Sequence, residues 1–278
     1  MRKYRPLLLL LLAVLGGAML SLTYIRPYEG HITLAEAVLQ LSGSRGEFEL
    51  GGYFLEMVDF TTRLLPMYVF EMCFGVMLYR HFCTASVYVF ARCPRRLGWY
   101  LREVWTLACS VLLFQLLLMA SALSVAALRY RVTVDAGGGL LAVCHFAVYA
   151  MWTFAMTLLI NLFAVWWGSG VSFAVVMGLQ MVFVALLSLE QTMESISGTE
   201  VKPKGSLLRF DPAAHLVMGW HSSSIDILDR AIHSSYETIS MGASLLLCLC
   251  LCIAVIVFGA VSITKHDLLI SDVEKGGI

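Results

Sequence analysis

The sequence predicts an all-α, polytopic membrane protein of six transmembrane helices, and three observations carry that prediction. Of its 278 residues, 59% are hydrophobic and only 14% charged, against roughly 45–50% and 25% in soluble domains. Mean hydropathy is +0.81. Six stretches approach the roughly 20 mostly apolar residues that a helix needs to cross a bilayer. The whole chain, 1–278, therefore reads as a single transmembrane domain whose partner is lipid. A formal net charge of +0 argues against a nucleic-acid surface or a long charged tail.

The first span, about 6–24, follows Arg2, Lys3 and Arg5 and contains a leucine run. That is also the pattern of a signal peptide. No small-x-small cleavage site follows Gly16, Gly17 and Ala18, and five more apolar stretches come after it, so a retained helix is expected. Segment 25–63 contains an amphipathic stretch, 33–41, with Thr33 placed to cap it. The second span, 64–79, is short and bracketed by Arg63 and Arg80. Spans at 104–128, 140–167 and 171–189 follow, with Asn161, Trp166 and Trp167 near one end of the fourth read as packing and interfacial residues. Segment 190–240 holds two helix starts: Asp211 before Pro212, and Ser224 before a run with Ile225, Leu228 and Ile232 on one face. The last span is 241–263. Segments 25–63 and 190–240 together predict a small helical cap on one side of the membrane.

Lysine and arginine set the orientation. Segments 1–5, 80–103, 168–170 and 264–278 carry ten of them in 47 residues, and the opposite segments carry nine in 101. The positive-inside rule then puts both termini in the cytoplasm and the cap outside. All eight cysteines fall in spans or in loop 80–103, which predicts free thiols and no zinc knuckle. Cys250 points away from Cys248 and Cys252 on a helix.

No G-x-x-x-x-G-K-[ST], H-E-x-x-H or G-x-S-x-G pattern occurs, so nothing predicts an enzyme, a cofactor or a resident metal. His215, His221 and His233 with Asp211, Asp226 and Asp229 form a metal-like set on paper. A solvated loop surface produces such sets routinely, and ordinary surface residues are the expectation.

Loop 80–103 is the most informative stretch. Thr84 can cap a short helix that Pro94 must end, because proline lacks an N–H and clashes with the preceding turn. His81, the pair Cys83 and Thr84, the apolar patch Val87, Tyr88, Val89 and Phe90, then Pro94, Arg95 and Arg96, with Arg102 before the next span, resemble the coupling segment of type-2 ABC exporter permeases. The resemblance extends to six spans with a cap before the last. It departs from the family where His81 replaces an acidic residue, where Cys83 replaces a glycine, and where only five residues precede the first span.

The resemblance implies a non-catalytic permease of the bacterial cytoplasmic membrane, in a branch near peptide-antibiotic export and immunity systems. It would pair with a second permease copy or homologue, dock a separate ABC ATPase through Thr84, Val87, Tyr88, Phe90, Pro94, Arg95 and Arg96, and export a peptide, lipid or small antibiotic.

Polar residues at bilayer depth form the second constellation. Glu71, Gln115 and Gln180 fall near the middle of the second, third and fifth spans. An intramembrane carboxyl costs at least about 2.5–3.5 kcal/mol unless paired. It is either interhelical glue or a proton-coupled group. In the family resembled, the second and fifth spans line the path, which favours the pair Glu71 and Gln180. The rival functions are a proton-coupled transporter or channel built on Glu71, and a membrane sensor or assembly factor that transports nothing.

Overall fold

A computed structural model describes residues 5–27, 30–43, 53–81, 96–197, 209–232 and 239–265. Eight α-helices dominate the described residues: α1 (Arg5–Tyr24), α2 (Leu34–Ser42), α3 (Tyr53–Phe74), α4 (Arg96–Arg129), α5 (Ala136–Trp167), α6 (Ser169–Ser197), α7 (Asp226–Ile232) and α8 (Met241–Lys265). Five of them, α1, α4, α5, α6 and α8, are long and apolar enough to cross a membrane. The chain is thus a largely helical protein of multi-pass membrane character. Helix α3 falls outside that group because Asp59, Arg63 and Glu71 interrupt its apolar sequence.

Helix α3 begins at Tyr53, well before the expected 64, so the segment expected to run outside from 25 to 63 gives its last eleven residues to a helix. An i,i+4 ion pair, Arg63 Nε to Asp59 Oδ2 at 2.8 Å, supports the added turns. Pro66 sits inside the helix without breaking it. Its ring lies where any side chain on Gly16 of α1 would collide, so the defect in α3 doubles as a packing surface. Helix α4 likewise begins at Arg96, and residues 77–81 are helical. Of the expected loop 80–103, residues 80–81 and 96–103 are therefore helical, and Arg96, Arg102 and Glu103 belong to a helix. Gly98 alone is too weak a breaker to delay it.

One end of the bundle is capped. Thr33 closes a capping box on α2: its Oγ1 accepts from the Glu36 N–H at 3.2 Å, and Glu36 Oε2 accepts from the Thr33 N–H at 2.9 Å. Strand β1 (His31–Thr33) pairs in parallel with β2 (Arg131–Thr133), Ile32 opposite Val132. Asp135 caps α5 through the Gly138 N–H at 2.8 Å and also accepts from the Ala35 N–H at 3.4 Å. Gly138 packs too closely on Leu34 and Ala35 to carry a side chain.

Asp211 caps no α-helix. Its Oδ1 accepts from the Ala213 N–H at 2.9 Å and leads into two 3-10 turns, Ala214–Leu216 and Met218–Trp220. Helix α7 starts at Asp226, and just ahead of it Ser223 rather than Ser224 makes the side-chain bond, its Oγ accepting from the Ile225 N–H at 2.9 Å. Leu228 and Ile232 are buried as expected, whereas Ile225 is exposed. Strand β3 (His221–Ser222) pairs with β4 (Ile239–Ser240) beside the first turn of α8.

Helix α5 is the axis of the fold. In its most apolar window 78% of residues are buried, compared with 28–33% in the other four spanning candidates. Helices α2, α3, α4, α6, α7 and α8 all pack against it. Cys248 and Cys252 are buried and Cys250 exposed, and the described cysteines are all free thiols.

Candidate functional site

A helix surrounded by protein has no lipid-facing side, so polar residues on it must find partners within the bundle. Helix α5 carries five at four-residue intervals: His145, Tyr149, Thr153, Thr157 and Asn161, all buried. Residues four apart share a helix face, so these form one stripe, about 24 Å long at 1.5 Å per residue. Sequence reasoning missed it because only the charged and amide residues near mid-span drew notice; the i, i+4 spacing was the available signal.

Toward the C-terminal end of α5 the stripe is closed. Asn161 Oδ1 accepts from the Leu78 N–H at 2.8 Å and the Tyr79 N–H at 3.4 Å. Its Nδ2 donates to Phe74 O at 3.1 Å and Thr157 O at 2.8 Å. All four hydrogen-bonding capacities of the amide are used. Three of the four partners fall on either side of the turn at 75–76, where α3 gives way to helical 77–81; the fourth is on α5 itself. Asn161, expected to be simple packing, thus repairs a helix break. Thr157 and Thr153 each donate to the carbonyl four residues back, at 2.6 and 2.8 Å.

Near the middle of α5 the predicted midplane residues separate into two groups. Gln180 Nε2 of α6 donates to Glu71 Oε2 of α3 at 2.8 Å, and Trp152 Nε1 of α5 donates to Gln180 Oε1 at 3.1 Å. Glu71 and Gln180 are therefore the bonded pair that sequence favoured, joined by a tryptophan it did not predict. Gln115 of α4 is elsewhere: its Nε2 donates to Thr153 Oγ1 at 3.0 Å and Tyr149 O at 3.5 Å.

Toward the capped end the network opens. Glu71 Oε1, Tyr68 Oη, His145 Nδ1 and Ser21 Oγ are buried without a hydrogen-bond partner among the described residues. A small cavity lies here, lined by Leu20, Arg63, Met67, Gln115, His145 and Tyr149 among others, with room for about one or two waters. Arg63 reaches it from α3 while its Nη1 donates to Gln40 O and its guanidinium covers the Tyr24 ring at 3.8 Å. Tyr149 Oη donates to Leu216 O of the cap at 3.0 Å, joining the stripe to the segment before α8.

At the opposite end, His81 Nδ1 lies 2.9 Å from Glu103 Oε2 and links the two sides of segment 82–95. Thr84, Val87, Tyr88, Phe90, Pro94 and Arg95 lie outside the described residues; Arg96 is the first residue of α4. The described part of the metal-like set is also accounted for: His215 and His221 bond to Ser244 and Asp229 to the Ser223 N–H. No cluster of three metal-ligating side chains occurs among the described residues. Compared with protein-family models, curated proteins and solved structures, the chain matches none.

Proposed function

We propose that this chain is the membrane-spanning permease subunit of a type-2 ABC exporter, with α3 as a sixth span and both termini and segment 82–95 in the cytoplasm. The observation that supports this reading best is the His81 to Glu103 bond. It ties the helical residues 77–81 that follow α3 to α4, at the base of the segment on which a separate ATPase would dock. Movement of that segment reaches α5 through Asn161 and α6 through the Glu71 to Gln180 bond. The chain binds no nucleotide itself and works with a second permease copy to move a peptide, lipid or small antibiotic out of a bacterial cell. One observation favours the proton-coupled rival: Glu71 Oε1 has no hydrogen-bond partner among the described residues.

Affinity purification of the full chain in mild detergent, with mass spectrometry of co-eluting chains, tests the assignment. An ABC ATPase should co-elute, and replacing Val87, Tyr88, Val89 and Phe90 with polar residues should release it while membrane insertion persists. Unchanged co-elution after that replacement defeats the docking assignment. Cysteine labelling should find positions 45 and 205 outside and 95 and 270 inside. An inside signal at 205 defeats the six-span topology.

A further inference from the structure

Where the cap meets α8, two histidines converge on one hydroxyl. Ser244 Oγ, in the first turn of α8, stands 2.7 Å from His215 Nδ1 and 2.7 Å from His221 Nε2. The far nitrogen of each ring meets a backbone carbonyl: His215 Nε2 lies 3.1 Å from Arg209 O, and His221 Nδ1 lies 2.9 Å from Val217 O. A carbonyl only accepts, so both far nitrogens must carry hydrogen. A neutral imidazole has a single N–H. In two neutral rings, both nitrogens facing Ser244 are therefore bare acceptors.

A hydroxyl has one hydrogen to give. It can satisfy one ring, and Ser240 O at 3.3 Å competes for the same hydrogen. The other ring is left with a lone pair directed at an oxygen lone pair at 2.7 Å. Changing its tautomer only moves the conflict to Arg209 O or Val217 O. One added proton removes it: one ring donates to Ser244 Oγ, and the hydroxyl donates to the other ring. A second proton would put two cations on one oxygen. Both histidines are buried, and neither is hydrogen-bonded to a carboxylate among the described residues. Among the neighbouring titratable groups, the Arg209 side chain belongs to an exposed residue, Asp211 Oδ1 accepts from the Ala213 N–H, Asp229 accepts from the Ser223 N–H, Tyr149 donates to Leu216 O, and Cys248 is a buried thiol.

We propose that His215, Ser244 and His221 form a site that binds one proton and excludes a second, fastening the 3-10 turns of the cap to the start of α8. Burial above all lowers the affinity of both rings for protons, and with a charge on His215 contributing it brings His221 down to about 4. That accounts for the excluded second proton. The sign of its effect follows from linkage: a histidine whose folded pKa lies below its unfolded value of about 6.5 takes stability from the fold as pH falls toward the folded value. The second proton thus loosens the cap in acid.

The test is nitrogen NMR of the full chain, labelled at histidine and reconstituted in lipid nanodiscs, with His215→Asn and His221→Asn used for assignment. Between about pH 8 and pH 5 the pair should take up one proton, with both far nitrogens remaining N–H throughout. Two neutral rings at pH 5, or two charged ones, overturn the proposal. Ser244→Ala removes the shared oxygen and should move the uptake to at least about tenfold higher proton concentration; unchanged uptake in a folded variant also overturns it. Should that variant not fold, the wild-type spectra decide alone.

Discussion

The two halves of the α5 stripe share a helix, a four-residue spacing and nearly complete burial, yet they meet the demand of hydrocarbon in opposite ways. Around Asn161 every donor and acceptor of the side chain is used. His145 instead lines a small cavity, and its Nδ1, like Ser21 Oγ, Tyr68 Oη and Glu71 Oε1, is buried without a hydrogen-bond partner among the described residues. An unpaired polar group in an apolar interior costs about 1–3 kcal/mol by protein mutational measures. The closed half is therefore built for cohesion. The open half keeps a cost that no described residue offsets, and it lies on the side of the cap that carries the histidine pair.

The contrast is broken most forcefully at Asn161. Asn161→Leu keeps the volume near constant but strips partners from the Leu78 and Tyr79 N–H groups and from Phe74 O. At about 1–3 kcal/mol for each buried group left unpaired, the loss should exceed that of any other single change in the stripe. The expected result is little folded protein, read as a collapse of the thermal transition in detergent. A variant within a few degrees of wild type would show that the break at 75–76 repairs itself.

Much of this architecture was legible in the sequence, and the parts that were not share a cause. Of the six expected spans, apolar length located five helices long and apolar enough to cross a membrane, and Thr33 was recognised as a cap because capping is local chemistry. Helix α3 was expected only from 64, where the apolar stretch bracketed by Arg63 begins, whereas Arg63 and Asp59 are an ion pair one turn apart on the same helix. Asn161 was undervalued because its partners lie more than eighty residues away. Likewise, nothing local marks Ser244 as the meeting point of His215 and His221. Sequence periodicity exposes one element at a time, whereas these networks exist only once several helices have been brought together.

Glu71 sharpens the comparison at intermediate magnitude, since it stands at the boundary between the halves with Oε2 paired and Oε1 unpaired. Glu71→Leu removes the acceptor of Gln180 and should cost about 0.6–2 kcal/mol, the range of interhelical hydrogen bonds in membranes. Glu71→Gln can still accept from Gln180 through its carbonyl and should leave stability nearly unchanged. Transport in proteoliposomes then separates the two functional readings. Retained export with Glu71→Gln fits a carboxyl serving as glue; a stable but inactive variant, in a wild type that responds to a pH gradient, moves the assignment to the proton-coupled rival.

The smallest expected effect is at His145, and there the smallness is the point. His145 Nδ1 has no partner among the described residues, its ring stacks 4.0 Å from that of Tyr149, and the cavity lies beside it. His145→Phe removes an unpaired buried nitrogen, keeps a ring against Tyr149 and has the cavity to absorb its extra volume. Losing an unmet polar group offsets the strain of a larger ring, so the change in stability should fall within about 0.5 kcal/mol of zero. Thermal unfolding in the same lipid, alongside Asn161→Leu, checks it directly. A loss above about 2 kcal/mol would mean that His145 already has a partner there, in water or ligand, whose removal breaks a network. In that outcome the open half is as tightly bonded as the closed one, the contrast between them disappears, and the occupant of the cavity becomes the next thing to identify.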